Sequence, residues 1–348
     1  LATLADDSAS DFGLESDYYK VSMMSPLRRL QQKTQVFPLD VKASSRSRLT
    51  HSLEVQAYAR LIASAIIKKC EDKLSSVRAH ILRCVETGAL IHDLGNPPFG
   101  HFGEVVIRSW LGELIEAHGL NCELRDGEKE DLCAFNGNAQ GLRLLHTIHS
   151  LNLSYTQYLT TIKIPFTIAE LLRGKGEGAG ISAYHSDFYS WAYAHAGVYL
   201  TEKNLLDAMR EVRGTVNRHP FASIIEWADD LAYVLADLED AVERGLVDRY
   251  DILHMCDKLS RMSEMTRFEN ILNHQVVADI FIQSPSTALF YLRDVISKAY
   301  IQDLSSAVAS NLEQFFKTGE PDYSKAGGEG LTVVKLLQDY ERKMVYVN

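Results

Sequence analysis

The feature that most constrains the fold is a series of long segments with helical periodicity. The clearest is ASIIEWADDLAYVLADLEDAVERG, residues 222–245, in which five apolar side chains fall within about 80° of arc at roughly 100° per residue. Similar periods begin at Ser52, Val77 and Asn138. Only eight prolines interrupt 348 residues, and we find neither βαβ alternation nor a period-2 series. The sequence therefore predicts an all-α globule with little or no strand.

Composition narrows the class of protein. Hydrophobic residues make up 46% and charged residues 24% of the chain, which argues against disorder. No run of about 18 apolar residues predicts a membrane span, and the first residues do not resemble a secretory signal. The five cysteines are irregularly spaced and form no CxxC motif, which is typical of a reducing compartment. We expect a cytoplasmic protein with no membrane partner.

Charge is unevenly distributed. The formal net charge is −10, which argues against a general nucleic-acid coat. Residues 28–48 nevertheless contain six basic residues against one acid. On charge alone a solvated basic surface is the favoured interpretation of this basic stretch, and a local polyanion site is the alternative.

Several ionisable residues are placed where helices begin or end. His92 and Asp93 close a strongly apolar helical segment, and His51 opens another. Asp229 or Asp230 on a third segment would add a carboxylate. Two imidazoles with one or two carboxylates form a site for a divalent metal ion. The alternative to a metal site is that His92 is a buried histidine with a satisfied hydrogen bond and that His51 is a polar residue in a first helical turn.

The segment HDLGNPPFGHFGE, residues 92–104, makes the catalytic interpretation stronger. Its prolines and glycines predict a tight loop, which carries His101 and, three residues later, Glu104. If a helix begins by Phe102, these two side chains lie on one face. An imidazole oriented by a carboxylate is suited to general acid–base chemistry.

The polar side of the 222–245 helix has two interpretations. Asp229, Tyr233 and Asp237 share one face, opposite the apolar side chains. This pattern is ordinarily the solvent-exposed face of an amphipathic helix. A phenol between two carboxylates also suits one side of a binding pocket, where the ring would stack on a sugar and the polar groups would bind its hydroxyls.

Six segments together resemble the bacterial deoxyguanosinetriphosphate triphosphohydrolases (dGTPases) of the HD-domain superfamily. They are RRLQQKTQVFPL (28–39), RSRLTHSLEV (46–55), ALIHDLGNPPFGHFGE (89–104), FNGNAQGLRLL (135–145), GVYLTEK (197–203) and ADDLAYVLADLEDAVERG (228–245). The resemblance implies a single helical HD-type domain over residues 1–348. Its motif-bearing core would span about 15–250, followed by a C-terminal helical extension over about 251–348.

The resemblance also implies roles for individual residues. The metal ligands would be His51, His92, Asp93 and Asp229, and the catalytic pair would be His101 and Glu104. The substrate-binding residues would be Gln35, Arg48, Lys163, Tyr233 and Asp237. Tyr233 would pack on the deoxyribose, and Arg48 would bind phosphate. Ile164 stands where the family usually has tyrosine after the lysine.

The implied reaction is metal-dependent hydrolysis of dGTP to deoxyguanosine and inorganic tripolyphosphate, with Mg²⁺, Mn²⁺, Co²⁺ or Fe²⁺ as cofactor. The resemblance further implies a homo-oligomer, a hexamer in some relatives, and single-stranded DNA as a regulator. The alternatives are an HD phosphohydrolase of another nucleotide, such as another dNTP, a monophosphate or a signalling nucleotide, and a DNA-regulated nucleotide binder.

Overall fold

The structure, a computed structural model, describes residues 11–35, 46–119, 124–125, 127–172, 196–261, 274–321, 323 and 328–344. All regular structure in these ranges is helical, apart from isolated bridges that pair Thr34 with Ser47 and Thr167 with Val198. The predicted all-α fold is confirmed. Residues 36–45, which include part of the basic stretch, lie outside the described ranges. Within those ranges we find no helix long and apolar enough to cross a membrane.

The helices follow one another with short connections. Up to residue 172 they are α1 (Asp11–Met23), α2 (Ser25–Arg29), α3 (Arg48–Lys69), α4 (Glu71–Leu74), α5 (Arg78–Ile91), α6 (Gly100–Ala117), α7 (Glu128–Cys133), α8 (Gly137–Arg143), α9 (Tyr155–Thr160) and α10 (Ile168–Leu172). Beyond residue 196 they are α11 (Lys203–Arg213), α12 (Pro220–Glu243), α13 (Arg249–Ser260), α14 (His274–Gln283), α15 (Pro285–Ser310), α16 (Leu312–Thr318) and α17 (Glu329–Met344). Three of the periodic segments of the sequence correspond to α3, α5 and α12. The segment that begins at Asn138 is α-helical in α8 only to Arg143 and continues as a π-helical turn over Leu144–Ile148.

The chain divides into two compact units. The first contains residues 1–60, 76–227 and 313–320, and the second contains residues 61–75, 228–312 and 321–348. Three of the boundaries fall inside helices: between residues 60 and 61 in α3, 227 and 228 in α12, and 312 and 313 in α16. The interpretation of the chain as a single HD-type domain stays a prediction.

The core of the first unit surrounds the end of α5. Leu90, Ile91 and Leu94 are buried there with apolar residues of α1, α2, α8 and α9. Apolar burial of this kind is the main favourable contribution to folding. Since His92 and Asp93 lie between Ile91 and Leu94, the same packing fixes where these polar side chains project.

The helices of the second unit are joined partly by an ion pair and by a hydrogen bond to a carboxylate. Arg293 on α15 donates to both carboxylate oxygens of Glu239 on α12, at 2.8 and 2.7 Å. Asp303 on α15 accepts from the Gly330 N–H at 2.7 Å and fixes the start of α17. The described residues beyond 250 are almost entirely helical. A C-terminal extension over about 251–348 stays a prediction.

Candidate metal centre and catalytic pair

Two helices bring three metal-binding side chains together. His51 lies in the first turn of α3, while His92 and Asp93 follow the last residue of α5. One ligand atom from each residue lies within 4.8 Å of the other two. All three are buried, with His51 only 1% exposed. Two imidazoles and a carboxylate suit a divalent metal ion.

The hydrogen bond made by the His92 ring determines which nitrogen is available to a metal. Nδ1 lies 2.7 Å from the Ala89 carbonyl oxygen. Because a carbonyl oxygen only accepts, Nδ1 carries the proton and donates, and Nε2 of the neutral ring carries the lone pair. Nε2 lies 3.5 Å from Asp93 Oδ1. Two electron-rich atoms at this separation are stabilised by a shared cation, so the donor set fits a metal ion.

Asp93 is oriented by two side chains. Arg48 Nη1 donates to Oδ2 at 2.5 Å, and Asn96 Nδ2 donates to Oδ1 at 2.6 Å. Arg48 is itself buried. Its Nε is buried and has no hydrogen-bond partner among the described residues. Arg48, expected from the resemblance to bind phosphate, therefore lies beside the metal cluster and anchors one of its members.

Glycine allows the loop after Asp93 to approach its neighbours closely. Phe99 and Gly100 have φ angles of 66° and 54°, in the left-handed region, where α6 begins. A Cβ atom at Gly100 would lie 2.6 Å from Arg48 Nη2. A Cβ at Gly95 would lie 2.1 Å from the Gly137 carbonyl oxygen, so this glycine lets the loop pack against α8.

The structure places His101 and Glu104 on one face of the first turn of α6. His101 Nδ1 lies 3.0 Å from Glu104 Oε2, to which it donates in its protonated form. Glu104 Oε1 accepts from the Gly137 N–H at 2.6 Å. The Glu104 carboxylate is buried, whereas the His101 side chain is 96% exposed. A buried carboxylate thus orients an imidazole that solvent and substrate can reach.

The pair changes the pKa of both members. The hydrogen bond to Glu104 raises the pKa of His101 above its ordinary value. Burial alone would raise the pKa of the Glu104 carboxyl, but the bonds from His101 and Gly137 lower it below its ordinary value. Both shifts favour an ion pair of imidazolium and carboxylate.

Comparison with known families identifies the domain that carries these residues. Residues 48–130 match the HD domain. This stretch of the chain is similar to HD domains. The matched range holds His51, His92, Asp93, His101 and Glu104, and HD domains bind divalent metal ions.

Similarity to individual proteins extends well beyond the HD domain. The chain is 39% identical over 255 residues to a probable deoxyguanosinetriphosphate triphosphohydrolase of Pseudomonas aeruginosa, covering 68% of this chain and 49% of that protein. It is 36% identical over 268 residues to the deoxyguanosinetriphosphate triphosphohydrolase of Cronobacter sakazakii, covering 67% of this chain and 50% of that protein. It is 34% identical over 293 residues to the deoxyguanosinetriphosphate triphosphohydrolase of Klebsiella pneumoniae, covering 75% of this chain and 56% of that protein. The predicted resemblance is confirmed. The chain spans about half the length of the curated relatives it matches.

Two residues beside the HD-domain cluster were missed by the motif analysis. Lys33 Nζ donates to the Asn96 carbonyl oxygen at 2.6 Å. Burial, followed by the nearby Arg48 charge, lowers the pKa of Lys33. Asn96 lies in the loop of the HDLGNPPFGHFGE segment, and its side chain donates to Asp93 Oδ1 at 2.6 Å. The local excess of basic residues in the sequence was the only signal for Lys33.

The other predicted residues of the first unit lie on bridged segments. The Gln35 N–H donates to the Arg46 carbonyl oxygen at 3.3 Å, beside the Thr34–Ser47 bridge. Lys163 is half-buried, and the Gly197 N–H fixes the adjacent Ile164 carbonyl oxygen at 3.1 Å. A role of either side chain in binding substrate stays a prediction.

Asp229, Tyr233 and Asp237 lie on α12 within the second unit. Asp229 and Tyr233 are half-buried, and Asp237 is 0% exposed. This polar face is therefore not a simple solvent-exposed face. The metal cluster of the described residues consists of His51, His92 and Asp93, and Asp229 as a fourth ligand stays a prediction.

Proposed function

We propose that this HD-domain protein hydrolyses dGTP to deoxyguanosine and inorganic tripolyphosphate with a divalent metal ion. The observation that carries the proposal is the buried cluster of His51, His92 and Asp93, which we complete with Asp229. The names of the relatives direct the proposal to dGTP. Mg²⁺, Mn²⁺, Co²⁺ or Fe²⁺ suits two imidazoles and two carboxylates. The bound ion would polarise the α-phosphate as a Lewis acid.

His101 moves the proton in this reaction. The products require the bond between the α-phosphorus and the 5′-oxygen to break, so the 5′-oxygen must gain a proton. The raised pKa of His101 favours the protonated ring near neutral pH. Glu104 holds Nδ1–H, which leaves Nε2–H to donate to the leaving oxygen.

Arg48 and Lys163 neutralise the triphosphate in this proposal. Arg48 supplies a guanidinium next to Asp93, and charge-assisted bonds to phosphate oxygens are stronger than neutral ones. Lys33 adds a third basic group close to Arg48, whose charge contributes, after burial, to lowering the pKa of Lys33. The basic stretch thus becomes a local polyanion site in a chain of net charge −10.

Tyr233, Asp237 and Gln35 bind the sugar in this proposal, with Tyr233 packed where a 2′-hydroxyl would lie. We expect Tyr233→Ala to lower the preference for dGTP over GTP about tenfold, because the ring no longer excludes the extra oxygen. The measurement is kcat/KM for both nucleotides, with Tyr250→Ala, an exposed tyrosine, as control. An unchanged ratio would remove this role from Tyr233.

We place the enzyme in the cytoplasm, where it would control deoxynucleotide pools as a homo-oligomer, by resemblance a hexamer, with single-stranded DNA as a regulator. Support for the reducing compartment comes from Cys70, Cys84, Cys133 and Cys256, which are free thiols in the structure.

A substrate panel tests the proposal. The protein is incubated with Mn²⁺ and each of dGTP, dATP, dCTP, dTTP and GTP, and the products are separated by ion exchange. We expect deoxyguanosine and tripolyphosphate, formed from dGTP above the other nucleotides. Stepwise release of phosphate, or no reaction with any nucleotide, would instead favour a monophosphate or signalling nucleotide as substrate.

A further inference from the structure

The carboxylate that orients His101 is held by a backbone group rather than by another side chain. The Gly137 N–H donates to Glu104 Oε1 at 2.6 Å. A backbone donor can be aimed only by fixing the peptide that carries it. That peptide joins Asn136 to Gly137 at the start of α8, so the position of Asn136 determines the direction of the bond to Glu104.

Asn136 is fixed through both ends of its side chain. Oδ1 accepts from the Ala139 N–H at 2.9 Å and caps α8. Nδ2 donates to the Ala196 carbonyl oxygen at 2.8 Å and to the Ala134 carbonyl oxygen at 3.3 Å. The residue is 1% exposed. An amide that spans two chain segments in this way holds its own backbone in one orientation.

Tyr199 fixes the backbone of Asn136 from the opposite side. Its hydroxyl accepts from the Asn136 N–H at 3.2 Å and donates to the Asn136 carbonyl oxygen at 3.3 Å. The ring is buried beside Val198, which is itself part of the hydrophobic core. Burial raises the pKa of Tyr199, which keeps the hydroxyl protonated and able to donate.

We propose that Tyr199 and Asn136 are positioning residues, which aim the Gly137 N–H at Glu104 and so hold the carboxylate against His101. The role of these two residues in catalysis rests on the proposed function, but their effect on the geometry of His101 and Glu104 does not. Neither residue touches the metal cluster in the bonds described above. Misplacing a catalytic group by about 1 Å can cost up to about 10²-fold in rate, so loss of either positioning residue should lower kcat.

The pair and its support are surrounded by a small set of charged groups. Arg48 and Asp93 act on His101, and Arg108 acts on Glu104. Asp131, Glu104 and Arg143 act on Tyr199. None of these charges is removed by a Tyr199→Phe substitution, so a change in the titration of His101 would report the loosened carboxylate.

The test compares Tyr199→Phe with Tyr158→Phe by NMR titration of the histidine rings in the full chain. Tyr158 is a matched control, because it is buried and its hydroxyl accepts from the Leu153 N–H at 3.2 Å. The His101 signal is assigned from its loss in His101→Ala. We expect Tyr199→Phe to shift the His101 midpoint to lower pH and to reduce kcat about tenfold with little change in KM. Tyr158→Phe leaves both unchanged.

A His101 midpoint in Tyr199→Phe that matches wild type and Tyr158→Phe would overturn the positioning role. If the wild-type chain turns over no nucleotide, the proposed function fails while the NMR titration still decides the positioning role. If Tyr199→Phe loses its helical circular dichroism, Asn136→Ser takes its place. Serine keeps an oxygen that can cap α8 and removes the Nδ2 bonds to the neighbouring carbonyl oxygens, and the same midpoint shift is expected.

Discussion

Each clustered side chain is fixed by a different contact. His92 donates to a backbone carbonyl, whereas Asp93 accepts from Arg48 and Asn96. His51 is held by packing, because it is buried in the first turn of α3. These contacts orient the ligand atoms before any ion binds, which reduces the ordering that binding requires. Loss of one ligand should therefore weaken ion binding and turnover together.

The first prediction concerns His92. We expect His92→Ala to weaken Mn²⁺ binding by more than about tenfold, since outer-shell changes alone cost that much, and to abolish dGTP hydrolysis in parallel. Isothermal titration with Mn²⁺ measures the affinity. His118→Ala, at an exposed histidine beyond α6, is the control. Unchanged Mn²⁺ affinity in His92→Ala would show that the ion binds elsewhere.

The pH profile tests the role of His101 as an acid. Its pKa is raised, so the protonated ring persists above the ordinary histidine range and is lost as pH rises through that pKa. The lowered pKa of Glu104 keeps its carboxylate ionised to lower pH. We therefore expect kcat to fall on the alkaline side. Activity that increases with pH over this interval would make the ring a base.

His101→Ala provides the companion test. Turnover should fall by about 10²–10⁴-fold, the usual contribution of general acid–base catalysis. Mn²⁺ affinity should stay at the wild-type value, because His101 is outside the metal cluster. A variant that still turns over dGTP at the wild-type rate would exclude His101 from the reaction.

At the scale of elements, the start of α6 positions His101 and Glu104. Gly100 has a left-handed φ and lies against Arg48, whereas a Cβ atom at Gly112 in the same helix would meet no described atom within 4 Å. We expect Gly100→Ala to lower the free energy of unfolding by about 1–2 kcal/mol, and Gly112→Ala to raise it by about 0.5–1 kcal/mol. Urea unfolding measures both. Equal effects would contradict the strained start of α6.

The sequence predicted elements better than the contacts between them. Periodicity indicated α5, and the contiguous segment from His92 to Glu104 indicated both a cluster and a pair. The bonds from Lys33 to Asn96 and from Gly137 to Glu104 join residues 63 and 33 positions apart. No local pattern encodes such pairs. The burial of Asp237 could not be predicted from the sequence either, because helical periodicity shows which residues share a face but not what covers that face.

For the whole molecule, the prediction of a single HD-type domain has a thermodynamic consequence. Boundaries between the two compact units fall inside α3, α12 and α16, so unfolding one unit disrupts helices that also belong to the other. We expect one cooperative transition. The chain has three tryptophans, Trp110, Trp191 and Trp227, all within the residue ranges of the first unit. The unfolding transition reported by their fluorescence should coincide with the transition measured by circular dichroism at 222 nm. Two separate circular dichroism transitions would indicate two domains.

The most direct measurement of the central claim is ³¹P NMR and mass spectrometry of dGTP turnover in H₂¹⁸O with Mn²⁺. The account predicts tripolyphosphate with one ¹⁸O atom on a terminal phosphate and deoxyguanosine without label, because water attacks the α-phosphorus and the 5′-oxygen leaves with the nucleoside. Labelled deoxyguanosine, or labelled orthophosphate with dGDP as the nucleotide product, would contradict it.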